Sequence, residues 1–338
     1  MKVALLLSGG VDSTFCAYLL QQQGHEVEGF YLKLHDDEKK HAENIAKIEN
    51  IAKNIDIKTH VVDAKELFKK EVYDYFLTSY KQGLTPNPCA LCNPKLKFGF
   101  AFSHIMKQGF DAMAIGHYAR VENGYIKEAF DRSKDQSYFL FGLQKDTISK
   151  LIFPLGDMLK VDIKKKAFEA LPWLGKVNEY KDSQEICFVD TTYIDVLKEH
   201  FDVESSGDIK DTLGNTIGTH KGYMQYTIGK RRGLDIPLAQ EPHFVVDIDA
   251  HTNTLIAGTK QDLAISEIRA INFSLDDTFI DGDYFVKARY RGQKIKAFVT
   301  KCDNEIQAVL SEPIFGVARG QALVIYNDDL VLGGGWII

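Results

Sequence analysis

Apolar runs alternate with helical periodicity over the first half of the chain, from Met1 to about Asp190. Four short apolar runs predict buried strands, at Val3–Leu7, Val27–Leu32, Ile57–Val62 and Asp111–Ile115. Four amphipathic stretches predict helices, at Asp12–Gln23, Glu38–Asn54, Ala64–Tyr80 and Lys95–Gln108. This βαβα order predicts an α/β fold, a doubly wound parallel sheet with helices on both faces. Ligands of such sheets bind beyond the carboxyl ends of the strands.

The pattern changes after about Phe201, where glycines and turn pairs follow one another closely. From about Ser266 the chain alternates between short strands and polar turns. The strand-like segments are Tyr284–Tyr290, Lys294–Lys301, Ile306–Leu310, Ala322–Tyr326 and Leu330–Leu332. Five or six strands of this kind predict a small antiparallel β-barrel. We therefore expect three domains, at residues 1–200, 201–260 (a small β-rich middle domain) and 261–338.

The first strand runs into a glycine turn that predicts a phosphate site. The turn is Ser8-Gly9-Gly10, and a helix follows it directly. Glycines let the backbone turn sharply, so that the amides of the turn and of the helix start face one point, in front of the positive end of the helix dipole. The spacing matches neither GxxxxGK[ST] nor GxGxxG, which argues against a P-loop kinase or a dinucleotide fold. Leu32 and Gly116-His117 end neighbouring strands, and we expect them to line the same crevice.

Composition narrows the class of protein. A chain of 338 residues suggests about two or three domains at ~150 residues each. Five cysteines in a chain of this length argue against a disulfide scaffold and for reduced thiols. The net charge of −6 gives no general sign of nucleic-acid binding, which would need local basic patches. No apolar run reaches membrane-span length and no signal peptide is evident, so we expect a cytoplasmic protein without a membrane partner.

Two cysteines on polar segments are candidates for chemistry. Cys92 follows a proline-rich stretch that predicts a stiff, extended loop, and Pro94 predicts a helix start beside it. That helix start, together with Lys95 and Lys97, favours the thiolate. Cys187 lies in a polar approach to a short strand-like run. Inert small residues, metal ligands and a sulfur-handling pair all stay open as explanations, although Cys89 and Cys92 alone supply only two ligands for a structural zinc site. Cys16 is predicted to be core.

Three basic stretches have ordinary explanations, and two of them also have functional ones. The stretch Lys160–Lys166 is most simply a solvated helix face. The triplet Lys230-Arg231-Arg232 is either a solvated loop or a phosphate contact. An Arg-Tyr-Arg run at 289–291 is either an exposed strand or a nucleic-acid contact, in which arginine meets phosphate and Tyr290 stacks on a base.

Five segments in order resemble the bacterial tRNA-specific 2-thiouridylase family, within the ATP pyrophosphatase superfamily. They are SGGVDS at 8–13, TPNPCALCN at 85–93, DSQEICF at 182–188, GYMQYTIGKRRGL at 222–234 and VLGGGWI at 331–337. The resemblance implies an adenine-nucleotide α-hydrolase-like catalytic domain. It also implies ATP-dependent adenylation of the C2 oxygen of the anticodon wobble uridine, followed by sulfur transfer from a cysteine persulfide. The products are 2-thiouridine, AMP and pyrophosphate.

The resemblance also implies roles for individual residues. Cys187 carries the persulfide, Cys92 is the catalytic nucleophile, and the two form a transient disulfide. Mg²⁺ accompanies ATP, with Asp12 as a contributor to its environment or simply a helix cap. The implied ATP-binding residues are Leu6, Leu7, Ser8, Gly9, Gly10, Val11, Asp12, Ser13, Leu32 and Gly116.

The implied substrate is tRNA for Lys, Glu and Gln, and a sulfur-donor protein is the second partner. Because the uridine must leave the anticodon stack, a pocket has to receive it. The implied target-base residues are Asn87, Pro88 and Cys89. The implied tRNA-contacting residues are His117, Lys134, Asp135, Gln136, Arg289, Tyr290 and Gln321.

Cys89 departs from the commonest family pattern, in which an aspartate with an acid/base role stands at this position. A thiol titrates near 8.5 and an aspartate near 3.9, so that role does not carry over. Three cysteines (Cys89, Cys92 and Cys187) also raise the alternative of an iron–sulfur cluster with one open iron, although we favour the persulfide. Two more distant alternatives are a pyrophosphate-loop amidotransferase or ligase and a non-catalytic tRNA-binding protein.

Overall fold

The computed structural model describes residues 1–175, 186–237 and 241–338. The chain divides into two compact units. Of the described residues, the first unit contains Met1–Val72, 89–175 and Asp329–Leu332. The second contains Tyr73–Pro88, 186–237, 241–328 and Gly333–Ile338.

A five-stranded parallel sheet forms the centre of the first unit, in the order β3-β2-β1-β4-β7. Its strands are β1 (Lys2–Leu6), β2 (Glu26–Lys33), β3 (Lys58–Asp63), β4 (Ala112–Ile115) and β7 (Leu151–Ile152). The four predicted strands are confirmed to within one residue at each end. The central strands β1 and β4 were detectable because a parallel strand that is buried on both faces reads as a continuous apolar run. The edge strand β3 is largely exposed or half-buried, and only Val62 within it is buried. The strand order reverses between β1 and β4, which is where such sheets bind ligands.

The helices of the first unit cover this sheet. They are α1 (Val11–Gln22), α2 (Glu38–Ile55), α3 (Lys65–Phe68), α5 (Pro88–Cys92), α6 (Phe102–Met106), α7 (Lys145–Ile148) and α8 (Lys160–Ala170). One core cluster joins the strands to α1, α2 and α8, through side chains such as Leu5, Phe15 and Ile163. A hairpin of β5 (Ala119–Glu122) and β6 (Tyr125–Glu128) follows β4, and the sequence pattern did not predict it.

Two predicted helices are interrupted by π-helical turns. The helix expected over Ala64–Tyr80 consists of α3, a π segment at Lys69–Tyr73 and α4 (Asp74–Lys81). The helix expected to start at Lys95 begins with α5 at Pro88 and passes through a π segment at Asn93–Ala101 before α6. The extended loop expected around Pro88 is therefore wrong from Pro88 onward. Proline is favoured in the first turn of a helix, since no N–H is needed there.

The second unit contains two antiparallel-rich sheets and α9 (Tyr193–Lys198). The four-stranded sheet runs β10-β11-β8-β9, built from β8 (Gly207–Lys210), β9 (Thr216–His220), β10 (Phe244–Asp249) and β11 (Thr254–Gly258). The remaining strands, β12 to β17, close a six-stranded antiparallel barrel in which β12 pairs with both β15 and β17. The expected C-terminal barrel is thus confirmed.

The strands of this barrel differ in length from the prediction. They are β12 (Ala264–Leu275), β13 (Gly282–Lys287), β14 (Ile295–Cys302), β15 (Glu305–Phe315), β16 (Ala322–Asn327) and β17 (Leu330–Ile337). The expected strand Tyr284–Tyr290 ends at Lys287, and the Arg289 carbonyl accepts from the Gly292 amide in a turn, at 3.0 Å. The expected strand Leu330–Leu332 continues to Ile337 through three glycines.

Candidate functional site

The phosphate turn lies between β1 and α1. Gly9 has φ = +81°, a left-handed conformation that favours glycine. Gly10 is the N-cap of α1, and no side chain caps this helix end. The hydroxyls of Ser13 and Thr14 donate to the Gly10 carbonyl at 3.0 and 2.9 Å, which fixes the turn. The amides of the first helical turn and the helix dipole therefore face the sheet edge, as an anion site requires.

Gly116 is close to this turn. A Cβ at Gly116 would lie 3.6 Å from the Ser13 nitrogen and 3.7 Å from the Cys16 sulfur. Leu32 lies near the end of β2, two residues beyond Phe30, which pairs with Leu6 of β1. The structure thus brings the phosphate turn and Gly116 together, and it places Leu32 on the neighbouring strand. The predicted core position of Cys16 is confirmed by its full burial, which raises the pKa of its thiol together with the charge of Asp12.

His117 follows Gly116 and is buried. Its ring packs against Phe98 and Phe153, with centroid distances of 5.9 and 6.5 Å. Burial, with a smaller contribution from the charge of Lys97, holds the pKa of His117 well below its ordinary value of 6.5. The imidazole is therefore neutral at pH 7. A neutral ring can donate one hydrogen bond and accept another, but it supplies no positive charge for phosphate.

The depressed pKa of His117 predicts a pH dependence of stability. The unfolded chain binds a proton at this residue below about pH 6.5 and the folded chain does not, so stability is lost as the pH falls through that range. We expect the Tm of the wild-type protein to fall a few degrees further than that of His117→Gln between about pH 7.5 and pH 5.5. Thermal melts at matched ionic strength measure this. A constant offset between the two proteins at every pH would contradict the assignment.

Asp12, in the first turn of α1, is bound by two other side chains. The ammonium of Lys160 lies 2.7 Å from each oxygen of the Asp12 carboxylate. The hydroxyl of Tyr118 donates to the same carboxylate at 3.1 Å. Lys160, only 14% exposed at its side chain, is therefore not part of a solvated face, which corrects the interpretation of Lys160–Lys166 at its first residue. Sequence reasoning missed it because its partner lies 148 positions away in the chain.

The segment Lys134-Asp135-Gln136 is attached to the residues after His117. The Gln136 side-chain oxygen accepts from the Tyr118 backbone amide at 3.0 Å, and the Gln136 backbone amide donates to the Tyr118 carbonyl at 2.7 Å. Asp135 is buried and accepts from the Ala129 amide at 2.9 Å. The side chains of Asp135 and Gln136 thus shape the segment, and Lys134 is the member with a cationic group for phosphate.

Cys89 and Cys92 lie in α5, also in the first unit. Cys92 is 6% exposed, and it lies at the end of α5 rather than beside a helix start at Pro94, which corrects that part of the thiolate argument. The Asn93 side chain donates to the Cys89 carbonyl at 2.9 Å. This bond supports the turn at Pro94, whose nitrogen has no hydrogen to donate. Lys95 lies 3.8 Å from Glu71, so its charge is shared with a carboxylate.

Cys187 belongs to the second unit and is exposed. The preceding residues 182–185 of its motif lie outside the described residues. Phe188 anchors the segment, since its ring makes edge contacts with Tyr73 and Phe76 at centroid distances of 5.4 and 5.1 Å. This partly buried aromatic residue holds the backbone next to the exposed Cys187.

Gln321 fixes the segment that leads to Asn87 and Pro88 within the second unit. Its side-chain amide donates to the Thr85 carbonyl at 2.9 Å and to the Pro86 carbonyl at 3.2 Å. The Thr85 amide donates in turn to the Arg319 carbonyl at 2.8 Å. The structure therefore brings Gln321 to the implied target-base segment, which no local sequence signal indicates.

The predicted tRNA contacts of the second unit differ in exposure. Arg289 is exposed in the turn after β13, and Tyr290 beside it is half-buried. In the basic triplet, Arg231 and Arg232 are exposed, whereas the Lys230 ammonium donates to the Gln225 carbonyl at 2.6 Å. The exposed arginines are the groups with geometry suited to phosphate.

No helix in the described part of the chain is both long and apolar enough to span a membrane.

Comparison with known proteins gives matches over the whole chain. The family models described as the tRNA methyl transferase HUP domain, the tRNA methyl transferase PRC-barrel domain and the aminomethyltransferase beta-barrel domain match residues 1–191, 194–259 and 263–337. The chain is 55% identical to the tRNA-specific 2-thiouridylase MnmA of Helicobacter pylori (strain HPAG1), over all of both chains. It is 53% identical to that of Helicobacter hepaticus, over 100% of this chain and 99% of the relative. For Sulfurimonas denitrificans the identity is 45%, over 99% and 98%.

Proposed function

Because the chain belongs to the tRNA-specific 2-thiouridylase family, we propose that it replaces the C2 oxygen of the tRNA wobble uridine with sulfur, using ATP. The observation that carries the ATP-dependent step is the phosphate turn at the point where the strand order reverses, with Gly9 left-handed and no side-chain cap at the N-terminus of α1. The adenine then lies toward Leu32, and the backbone of Gly116 approaches the nucleotide.

The chemistry divides into an activation and a transfer. The C2 oxygen of uridine attacks the α-phosphorus of ATP, the bond to the β-phosphate breaks, and pyrophosphate leaves. The outer sulfur of a Cys187 persulfide adds to C2, and AMP leaves with the former carbonyl oxygen. The Cys92 thiolate then attacks the sulfur of Cys187, which releases 2-thiouridine and leaves a Cys92–Cys187 disulfide. A cellular dithiol reduces this disulfide, and a persulfide-bearing donor protein reloads Cys187.

Mg²⁺ is expected to bind with the nucleotide. No group of three or more His, Cys, Asp or Glu side chains that could hold a metal occurs among residues 1–175, 186–237 and 241–338. Magnesium commonly binds through one or two carboxylates plus substrate phosphates. The carboxylate at the phosphate turn is that of Asp12, which would share its oxygens between the metal and the Lys160 ammonium. Bound there, the metal would neutralise phosphate charge.

For tRNA recognition we propose two groups of contacts. The half-buried Lys134 and the exposed Arg289 and Arg232 bind the phosphate backbone, which gives salt-dependent affinity. Asn87, Pro88 and Cys89 receive the extruded uridine, with Gln321 supporting their segment. The preferred tRNAs are those for Lys, Glu and Gln.

We also propose that the chain is organised as three domains, at residues 1–200, 201–260 and 261–338.

Pyrophosphate release provides the test. The purified, reduced protein with ATP and Mg²⁺ is expected to release pyrophosphate only when tRNA with an unmodified wobble uridine is added, at least about tenfold above the rate with tRNA lacking that uridine. Enzymatic pyrophosphate detection measures the rate, and nucleoside mass spectrometry identifies the product. Binding of tRNA without pyrophosphate release would instead support a non-catalytic tRNA-binding protein. Full product from Cys187→Ser would favour an amidotransferase or ligase.

A further inference from the structure

The Asp12–Lys160 pair stands at the phosphate turn. Asp12 is in the first helical turn of α1, whose amide dipoles attract anions. Its carboxylate adds a full negative charge at the same place, which would oppose a phosphate. The Lys160 ammonium, 2.7 Å from both carboxylate oxygens, cancels that charge. Without Lys160 the turn would combine favourable dipoles with an unfavourable carboxylate.

The chain positions Lys160 by its backbone as well as by this ion pair. Lys160 is the first residue of α8, and the N-cap residue Leu159 provides no side-chain cap. The carboxylate of Asp131 accepts from the Lys160 amide at 3.0 Å and takes over that capping role. The helix packs on α1 through Ile163 and Ala167, in the same core cluster as Phe15. The start of α8 is therefore held in place independently of the Asp12 contact.

The lysine side chain is also confined on its other side. Its ammonium lies 5.5 Å from the centroid of the Tyr118 ring, and the Tyr118 hydroxyl binds Asp12. The pair keeps contact with solvent, since the Asp12 side chain is 29% exposed. An ammonium that is fixed, partly desolvated and adjacent to amide donors interacts strongly with phosphate, because low dielectric strengthens its attraction.

We propose that Lys160 is a phosphate-binding residue of the ATP site, which binds the pyrophosphate part of the nucleotide while it balances Asp12. The proposal rests on ATP use at the phosphate turn. It differs from a purely structural ion pair in what it does to the nucleotide. A phosphate ligand must discriminate ATP from AMP, whereas a structural pair affects both nucleotides alike.

Calorimetric binding of ATP and AMP to the full chain tests this. We expect Lys160→Gln to weaken ATP binding about ten- to hundredfold, the loss of one charge-assisted contact, and AMP binding by less than about threefold. Lys165→Gln is the matched control, because Lys165 lies on the same helix but its side chain is 76% exposed. It is expected to bind both nucleotides as the wild-type protein does. Thermal melts verify that each variant folds.

A second pair of variants separates the phosphate contact from the ion pair. EDTA removes any metal that Asp12 could bind. Under this condition Asp12→Asn removes only the negative charge that Lys160 balances. Asp12→Asn/Lys160→Gln therefore leaves no uncompensated charge and keeps the comparison usable even if Lys160→Gln alone is unstable. We expect the double variant to bind ATP about tenfold or more weakly than Asp12→Asn. Equal ATP affinity of these two proteins, or equal loss of ATP and AMP in Lys160→Gln, would overturn the proposal.

The nucleotide-binding result for Lys160→Gln and the pyrophosphate release of the wild-type protein test the Lys160 assignment and the proposed function separately. A wild-type protein that binds ATP with Lys160-dependent affinity, yet releases no pyrophosphate with tRNA, contradicts the thiolation chemistry and supports the Lys160 assignment. Conversely, a wild-type protein that thiolates tRNA, together with a Lys160→Gln variant that keeps its ATP affinity, supports the thiolation chemistry and contradicts the Lys160 assignment.

Discussion

Replacement of Cys187 with serine is expected to lower 2-thiouridine formation by at least about a thousandfold, because in the proposed mechanism Cys187 carries the transferred sulfur and serine cannot. The adenylation step uses no thiol, so a burst of pyrophosphate close to one per tRNA should persist. Cys187 is exposed, and its anchoring neighbour Phe188 keeps its contacts in the variant, so folding should be unaffected. Single-turnover assays that follow pyrophosphate and the modified nucleoside in parallel measure both quantities.

Cys302→Ser is the matched control for this prediction. Cys302 ends β14 in the barrel, and we have assigned it no part in the reaction, so its replacement should leave both readouts at wild-type values. Undiminished thiolation by Cys187→Ser would contradict the mechanism in which Cys187 carries the persulfide. Iron and acid-labile sulfide in anaerobically purified wild-type protein, lost in Cys89→Ser, would instead favour the cluster held by Cys89, Cys92 and Cys187.

The sheet of the first unit was predictable because its physical cause is local. The central strands β1 and β4 are nearly continuous apolar runs, and the glycine turn after β1 has few conformations that connect a strand to a helix. The phosphate turn therefore followed from residues 3–13 alone. Its neighbour Gly116 followed from the topological rule for parallel sheets, since both lie after adjacent strands.

Other features depended on contacts between distant residues, and the sequence pattern could not specify them. Lys160 appears in a lysine-rich stretch that is typical of a solvated face, and only the packing of α8 on α1 brings it to Asp12. Gln321 reaches Thr85 across 236 positions. The long strand β12 was missed because its two faces alternate irregularly where β15 and β17 pair with it through bulges.

The segment from Pro88 to Ala101 differs from its sequence prediction for a local reason. Two prolines and an asparagine suggested an extended loop, yet Pro88 starts a helix and Pro94 is accommodated by a π segment. The Asn93 side chain supplies a donor to the Cys89 carbonyl where proline offers none. A side chain that replaces a backbone donor is a local event, but single-residue preferences do not encode it.

Gly333→Ala is expected to destabilise the barrel by about 3 kcal/mol or more, and to lower its Tm by about 5 °C or more. Gly333 has φ = +141°, and a Cβ there would lie 2.1 Å from the Ser274 carbonyl oxygen of the paired strand β12. The strained dihedral and the backbone clash act together, because neither the ladder partner nor the strand can move without breaking pairs. Gly282→Ala is the control, since Gly282 begins β13 and its Cβ would meet only Tyr284 at 3.8 Å. Differential scanning calorimetry should show the control within about 0.5 kcal/mol of the wild-type protein. An equally small effect of Gly333→Ala would mean that β12 and β17 are not in contact at this register.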